Sequence, residues 1–167
     1  MIRSEHRKPA APFQSVALSV EDPIGAVARE LVEALCSEMS ERYGRPPSSF
    51  SLSEEAVEKS IFIIARRDGE PVACGALRPF DDETAELKRM YVVPAARRQG
   101  FGRLMIAALE RHARGFGYKT IVLETGVGQP DAQQLYESCG YLRAPAFGGY
   151  IGNPSSVCYR KDLSIRF

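Results

Sequence analysis

Val16, Leu18 and Val20 alternate with more polar neighbours, the two-residue period of a half-buried strand. Asp22-Pro23 then has the form of an N-cap followed by proline at the first helical position. Val27, Leu31, Leu35 and Met39 recur at helical spacing as far as Tyr43, and Gly44-Arg45-Pro46-Pro47 breaks the pattern. Ser51-Leu52-Ser53-Glu54 resembles a capping box and predicts a short second helix. Residues 61–66 and 71–78 read as strands. Asp68-Gly69 between them is a strong hairpin signal.

A polar turn over residues 79–83 leads into a strand at 86–93. Its apolar positions break parity: Leu87 and Met90 are three apart, so a regular strand would turn them to opposite faces. A one-residue bulge would bring both to one face, whereas burial of both faces would tolerate mixed parity; both readings stay open. Residues 104–116 form a helical pattern with Met105, Leu109, His112 and Phe116 along one stripe, and Glu110 and Arg114 are expected to pair on the outer face. Residues 119–125 read as a strand. Residues 130–139 read as a helix that opens on Pro130 and stops at Gly140. Tyr141-Leu142 begins another strand, residues 144–156 form a glycine- and proline-rich loop, and 157–163 is the last strand. The order β-α-α-β-β-β-α-β-α-β-β predicts an α+β fold: a mixed, mostly antiparallel central sheet with helices on both faces. Residues 1–14 are expected to be a flexible tail, and 15–167 a single domain.

Charge and cysteine content narrow the classes of function. Lys and Arg number 22 against 21 Asp and Glu, so no basic excess favours nucleic acid or a membrane surface. Cys36, Cys74, Cys139 and Cys158 show no metal-ligand spacing and read as small buried hydrophobes in a reducing compartment. With two histidines, His6 and His112, a histidine-based metal site is not expected. No apolar run reaches membrane-spanning length, and residues 1–14 lack the apolar stretch of a signal peptide, so the expected location is cytoplasmic.

The chemistry concentrates in Arg97-Arg98-Gln99-Gly100-Phe101-Gly102-Arg103, between a strand and a helix. Glycines there let backbone N–H groups approach a ligand, and the first helical turn offers unpaired donors and the positive end of a macrodipole. Phosphate is the natural guest of such a loop. The P-loop ending Gly-Lys-Ser/Thr is missing, and Met105 occupies the last glycine position of GxGxxG, which argues against a nucleotide-binding enzyme.

The hexamer from Arg97 to Gly102 resembles the Arg/Gln-x-x-Gly-x-Gly/Ala signature of the GNAT superfamily of N-acetyltransferases. Leu135-Tyr136-Glu137-Ser138-Cys139-Gly140-Tyr141 resembles the Leu-Tyr-Glu-x-x-Gly-Phe/Tyr signature of that fold's last helix, and Glu86 to Pro94 resembles its fourth strand and following turn. The resemblance implies acetyl-CoA as cosubstrate, no metal, and direct transfer of an acetyl group to a primary amine of a small molecule or protein. It implies pantetheine along Met90, Tyr91 and Val92, with the Met90 N–H facing the thioester oxygen. The diphosphate would lie on the N–H groups of residues 98–103 (Arg98, Gln99, Gly100, Phe101, Gly102 and Arg103), with the Arg97 and Arg98 side chains as charge partners. Many members carry asparagine seven residues before the helix tyrosine; here Gln129 offers the same amide on a longer arm. The resemblance also leaves room for a homodimer and for a non-catalytic acyl-CoA sensor.

Two proton problems define the catalytic candidates. An alkyl-ammonium with pKa near ~10.4 must lose a proton before attack, and the departing sulfur must be stabilised. Glu86, eleven residues before Arg97, matches the offset of the base in the histone acetyltransferase branch. Glu124 on the neighbouring strand is the second candidate; either could instead be a strand residue paired with Lys88 or Arg89. Tyr136 is the candidate acid by resemblance, although Ala132, Leu135, Tyr136 and Cys139 also share one apolar helical face. Phe147 and Tyr150 are candidates to line the acceptor pocket. Asp81, Asp82 and Glu83 would attract a cationic substrate or form a solvated turn.

Overall fold

The computed structural model describes residues 15–44 and 57–164. The expected tail and the expected second helix from Ser51 lie outside these residues. Within them the chain builds β1 (Val16–Val20), α1 (Ala26–Tyr43), β2 (Ile61–Arg67), β3 (Glu70–Pro79), β4 (Thr84–Val92), α2 (Phe101–Gly115), β5 (Thr120–Gly126), α3 (Pro130–Ser138), β6 (Leu142–Ala144) and β7 (Ser156–Asp162). The seven strands form one sheet in the order β1-β2-β3-β4-β5-β7-β6. The β4–β5 pair is parallel, and every other pair is antiparallel.

Two apolar layers sandwich the sheet. Leu77, Leu87 and Leu123 pack with Met105 and Leu109 of α2 on one face, and Phe62, Ile64 and Cys74 pack with Leu31, Val32 and Cys36 of α1 on the other. The β2–β3 hairpin turns on Asp68 and Gly69 with φ 51° and 86°, the left-handed pair that the sequence Asp-Gly supplies.

Three expectations are corrected. Asp22 does not cap α1: its carboxylate accepts the Ile24 N–H at 3.0 Å and its carbonyl the Gly25 N–H at 3.0 Å, closing a separate turn before the helix starts at Ala26. α2 begins at Phe101, three residues before its apolar stripe, because Gly100 makes the entry turn at φ 88°. Glu110 is buried rather than outward-facing. Lys161 of β7 reaches it at 2.7 Å, while Arg114 lies at 3.7 Å. A counterion inside the fold is what permits a carboxylate there.

Glu21 ties the edge strand β1 to β2 through Arg66 and the Ser19 hydroxyl. The Arg66 hydrogen bond holds its carboxyl below the usual range. Its stabilising contribution is therefore complete above the unfolded value of about 4.3 and is lost as pH falls through the lower folded value. Both side chains are about a quarter exposed, so solvent discounts the pair. Glu21→Gln should cost about 0.5 kcal/mol at neutral pH and nothing near pH ~2, read by urea unfolding at both.

Candidate active site

The bulge is present, and it opens the site. β3 and β4 pair Ala76 with Lys88 and then Cys74 with Tyr91, so β4 carries an extra residue opposite Gly75. Arg89 takes φ 55°, a strained value for a non-glycine residue, and the Cys74 thiol donates to its carbonyl at 3.3 Å. The frame shift puts Leu87 and Met90 against the same layer, which decides between the two readings of the parity break, and turns Tyr91 into the α1 layer. A Cβ on Gly75 would lie 2.8 Å from Met90 Sδ and 2.8 Å from Leu109 Cδ1, so only glycine leaves room for the displaced methionine.

Pairing between β4 and β5 stops at Leu87 and Leu123. Beyond that point the strands separate, and Arg89 and Met90 have no register partner in β3 or β5. The gap is a cleft with two lobes that share Leu35, Met39, Met90, Gln129 and Tyr136. The first lobe, about 740 Å³, runs past Tyr91 and Val92 to Arg97, Arg98, Gly100, Phe101, Gly102 and Arg103. The second, about 500 Å³, holds Lys88, Arg89, Glu124, Tyr43, Tyr150, Asn153 and Ser155.

At the far end of the first lobe, none of the backbone N–H groups of residues 98–103 meets a backbone acceptor among the described residues; the helical ladder starts with Leu104 on the Gly100 carbonyl at 3.0 Å. Six unused donors at a helix start are the donor set that a diphosphate fits. Gly102 serves packing as well: a Cβ there would lie 2.7 Å from Leu135 Cδ2, so its absence lets α2 and α3 close on each other. Arg98 is exposed in the left-handed region at φ 59°. Arg97 is engaged by protein: Nε donates to the Val92 carbonyl at 2.9 Å, the guanidinium meets Glu38 of α1 at 2.5 Å, and it lies 5.6 Å from the Tyr91 ring centroid. The Glu38 contact holds its pKa above the ordinary arginine value. Gln99 turns out of the cleft, its amide on the Ala95 carbonyl at 3.0 Å and on Arg67.

The two carboxylate candidates differ sharply. Glu86 is 2% exposed, lines neither lobe, and spends both oxygens on the protein: Arg78, directly opposite in β3, donates to one at 2.9 Å, and the Tyr150 hydroxyl to the other at 2.8 Å. The pairing expected with Lys88 is only a 4.0 Å contact. Glu124 lines the second lobe. Burial pushes its carboxyl up, while Lys88 pulls it partly back. Tyr136 is buried yet borders both lobes, and burial raises its phenol well above the ordinary tyrosine value. Burial, followed by Glu86, does the same to Tyr150. Gln129 stands at the N-terminus of α3, where the lobes meet.

Phe147 does not line the cleft: it packs edge-on against Phe80 and Tyr150 at 5.3 and 5.2 Å. Asp81 is a turn residue, accepting the N–H groups of Glu83 and Thr84 at 2.9 and 2.7 Å, and Glu83 pairs with Lys119. Sequence reasoning missed Glu38, Arg42 and Tyr43. Arg42 donates to the Gly128 carbonyl at 3.3 Å, and the Tyr43 ring occupies the space that side chains on Gly126 and Gly128 would fill. Only the paired glycines of the β5–α3 loop hinted at that approach. No group of three or more potential metal ligands occurs among the described residues.

This geometry has relatives. The chain is 32% identical to an IAA acetyltransferase from Azospirillum brasilense, over 89% of its own length and 99% of that protein's. A solved structure described as an acyl-CoA N-acyltransferase from Klebsiella pneumoniae superposes with a TM-score of 0.79 at 32% identity, covering 89% of this chain and 97% of the other. A GNAT family acetyltransferase from Elizabethkingia anophelis, solved with acetyl-CoA bound, shares the fold at a TM-score of 0.64 and 17% identity, over 88% and 97%. The sequence model of the Acetyltransferase (GNAT) family matches residues 27–141, which span the bulged strand, the glycine loop and Tyr136 alike, and the chain belongs to that family.

Proposed function

We propose that the protein transfers an acetyl group from acetyl-CoA to a primary amine, the amine attacking directly while both substrates are bound. One observation carries this reading: the cleft between the separated strands is continuous from six unused backbone donors to a half-buried carboxylate whose proton affinity burial raises. A diphosphate on the N–H groups of residues 98–103, with Arg98 and Arg103 as charge partners, would lead the pantetheine arm along Met90, Tyr91 and Val92. Arg97 acts as a strut between the loop and α1, because Glu38 and the Val92 carbonyl already use its donors.

Bound acetyl-CoA supplies an activated thioester; the rest is done by side chains of this protein. Glu124 takes the proton from the acceptor ammonium. Its raised pKa makes it a stronger base than an exposed glutamate, closer to the operating pH that general catalysis favours. The Met90 N–H, where β4 has no register partner in β3 or β5, faces the carbonyl oxygen as an oxyanion donor. Tyr136 hydrogen-bonds the departing sulfur. Full proton transfer from a phenol near ~10 to a thiolate near ~8.5 is uphill by about 2 kcal/mol, and burial widens that gap, so the hydrogen bond itself is the contribution. Glu86 is a buttress that holds Tyr150 over the acceptor lobe.

Calorimetry with coenzyme A, together with free-thiol release from acetyl-CoA in the presence of an amine panel, tests the reading. Heat plus amine-dependent thiol release supports it. Heat without release would make the protein an acyl-CoA-binding module, and no heat would remove the cofactor from the loop. Tyr136→Phe should lower kcat about tenfold and leave the Kd for acetyl-CoA within about twofold, the cost of one hydrogen bond made mainly in the transition state. An unchanged kcat would remove the role.

A further inference from the structure

Lys161 of β7 has only 15% of its side chain exposed, and its ammonium spends two donors inside the fold. One goes to Glu110 Oε1 of α2 and one to the Cys139 carbonyl at the C-terminal end of α3, each at 2.7 Å. Its alkyl chain runs beside Gly140, where a Cβ would lie 3.6 Å from Lys161 Cε, and the ammonium lies 5.5 Å from the Tyr141 ring centroid. A buried ion pair is weak evidence for stability, because well-packed apolar side chains of similar volume do as well or better. What this one supplies is placement: a cation at the end of one helix, where the macrodipole favours it, draws that end onto a second helix.

α3 has nine residues, too few to hold its position without tertiary anchors. Gln133 ties its N-terminal half to the Gly126 carbonyl at 3.0 Å. At the other end Arg103 donates to the Ser138 carbonyl at 3.3 Å from an exposed position, and a bound diphosphate would compete for it. Lys161 takes the next carbonyl from the buried side. That turn is bonded to Tyr136 directly, since the Tyr136 carbonyl accepts the N–H groups of Cys139 and Tyr141 at 3.0 and 3.1 Å. The Tyr136 ring packs on Tyr141 and Tyr159, with centroids at 6.0 and 6.2 Å. We infer that Lys161 is a positioning residue for Tyr136: by pinning the end of α3 to α2 it fixes where the phenol meets the departing sulfur. A misplacement of about 1 Å is enough to weaken a transition-state contact severely. This inference rests on the acetyl-transfer reading and adds to it a residue that lines neither lobe of the cleft.

The test is a double-mutant cycle. Lys161→Met takes from the buried Glu110 carboxylate its nearer cation, leaving Arg114 at 3.7 Å, and should unfold at lower urea than the wild type. Glu110→Leu/Lys161→Met removes the carboxylate as well and should recover most of that stability; Arg114 is part exposed and keeps the Leu163 carbonyl at 3.2 Å. Acetyl-CoA-dependent thiol release with the best amine of the panel gives kcat, and calorimetry gives the Kd for coenzyme A. Both variants should lower kcat about fivefold to tenfold and leave Kd within about twofold. The upper limit is the loss from Tyr136→Phe, since a residue that acts through the phenol can cost no more than the phenol. Added to Tyr136→Phe, Glu110→Leu/Lys161→Met should change kcat by less than about twofold, because the contact to be positioned is already gone. A lysine with a merely structural role would multiply its loss onto that of Tyr136→Phe.

Wild-type kcat in Glu110→Leu/Lys161→Met would overturn the inference. Losses that multiply in the Tyr136→Phe background, a parallel loss of coenzyme A affinity, or failure of both variants to fold would do the same. In each case amine-dependent thiol release by the wild type leaves acetyl transfer intact. Unchanged kcat in Tyr136→Phe removes the phenol's role and this inference with it, again with acetyl transfer standing. Silence of the wild type on every amine, with heat still evolved on coenzyme A binding, overturns the inference and the acetyl-transfer reading together.

Discussion

Glu124→Gln should lower kcat about 1000-fold with little change in the Kd for acetyl-CoA, within the range of 10²–10⁴ that a positioned general base contributes. The isosteric amide keeps the volume of the lobe and removes the proton acceptor. Because burial raises the Glu124 carboxyl, the wild-type rate should climb as pH rises through a value above the ordinary glutamate range, and this limb should vanish in the variant. Stability moves the other way. A carboxyl raised on folding stabilises the protein most when protonated, below its unfolded value near ~4.3, and that advantage is lost as pH rises through the higher folded value. At neutral pH the native protein therefore carries a desolvation cost that glutamine lacks, and Glu124→Gln should melt no earlier than the wild type. A slow enzyme that is equally stable isolates the chemistry. Glu86→Gln is the counterpart: it removes the buried carboxylate that accepts from Arg78 and weakens the seat of Tyr150, so its loss should appear in stability first. If Glu86→Gln abolished turnover in a well-folded protein while Glu124→Gln did not, the two roles would be exchanged.

The choice between these glutamates shows where sequence stops carrying information. Offsets along the chain put Glu86 first, and its position on β4 is as expected. What occupies its two oxygens is Arg78, brought opposite by the β3–β4 register, and Tyr150, delivered by a loop 64 residues away. Neither contact leaves a local periodicity to read. The bulge was half legible: the parity break between Leu87 and Met90 marked an irregular strand but fitted burial of both faces equally well, and only the β3–β4 register decides for the extra residue. The hairpin at Asp68-Gly69 and the glycine loop were legible because their residue types are demanded by backbone geometry within a few positions. The start of α2 was less so, because apolar periodicity marks where a helix buries side chains and not where its backbone begins. Glu38 and Tyr43 sit on α1 at ordinary helical positions, and only the packing of that helix across the cleft gives them a role. Local chemistry predicts the parts of the site that bind through backbone. The parts that depend on which side chains meet across the sheet come from the assembled fold.

Gly100→Val should weaken coenzyme A binding about 100-fold in calorimetry, and the reason is conformation rather than bulk. A Cβ on Gly100 would have nothing within 4 Å, so the space is open. The residue nevertheless sits at φ 88°, where an L side chain costs about 1–2 kcal/mol and a β-branched one more. The loop can relieve that strain by rotating the peptides around residue 100, which turns N–H groups out of the cradle. Each hydrogen bond to a charged group contributes about 1.5–3 kcal/mol, so two lost donors account for a 100-fold change or more. Gly100→Asn is the discriminating control, since asparagine tolerates the left-handed region and should recover much of the affinity despite its larger side chain. Salt separates this effect from that of the arginines. Arg98 is exposed, so the penalty for Arg98→Ala should shrink as ionic strength rises, whereas the Gly100→Val penalty, a matter of backbone geometry, should persist. If Gly100→Val bound coenzyme A as tightly as the wild type, the diphosphate would have to lie elsewhere. The six idle amides ahead of α2 would then be an ordinary solvated helix start.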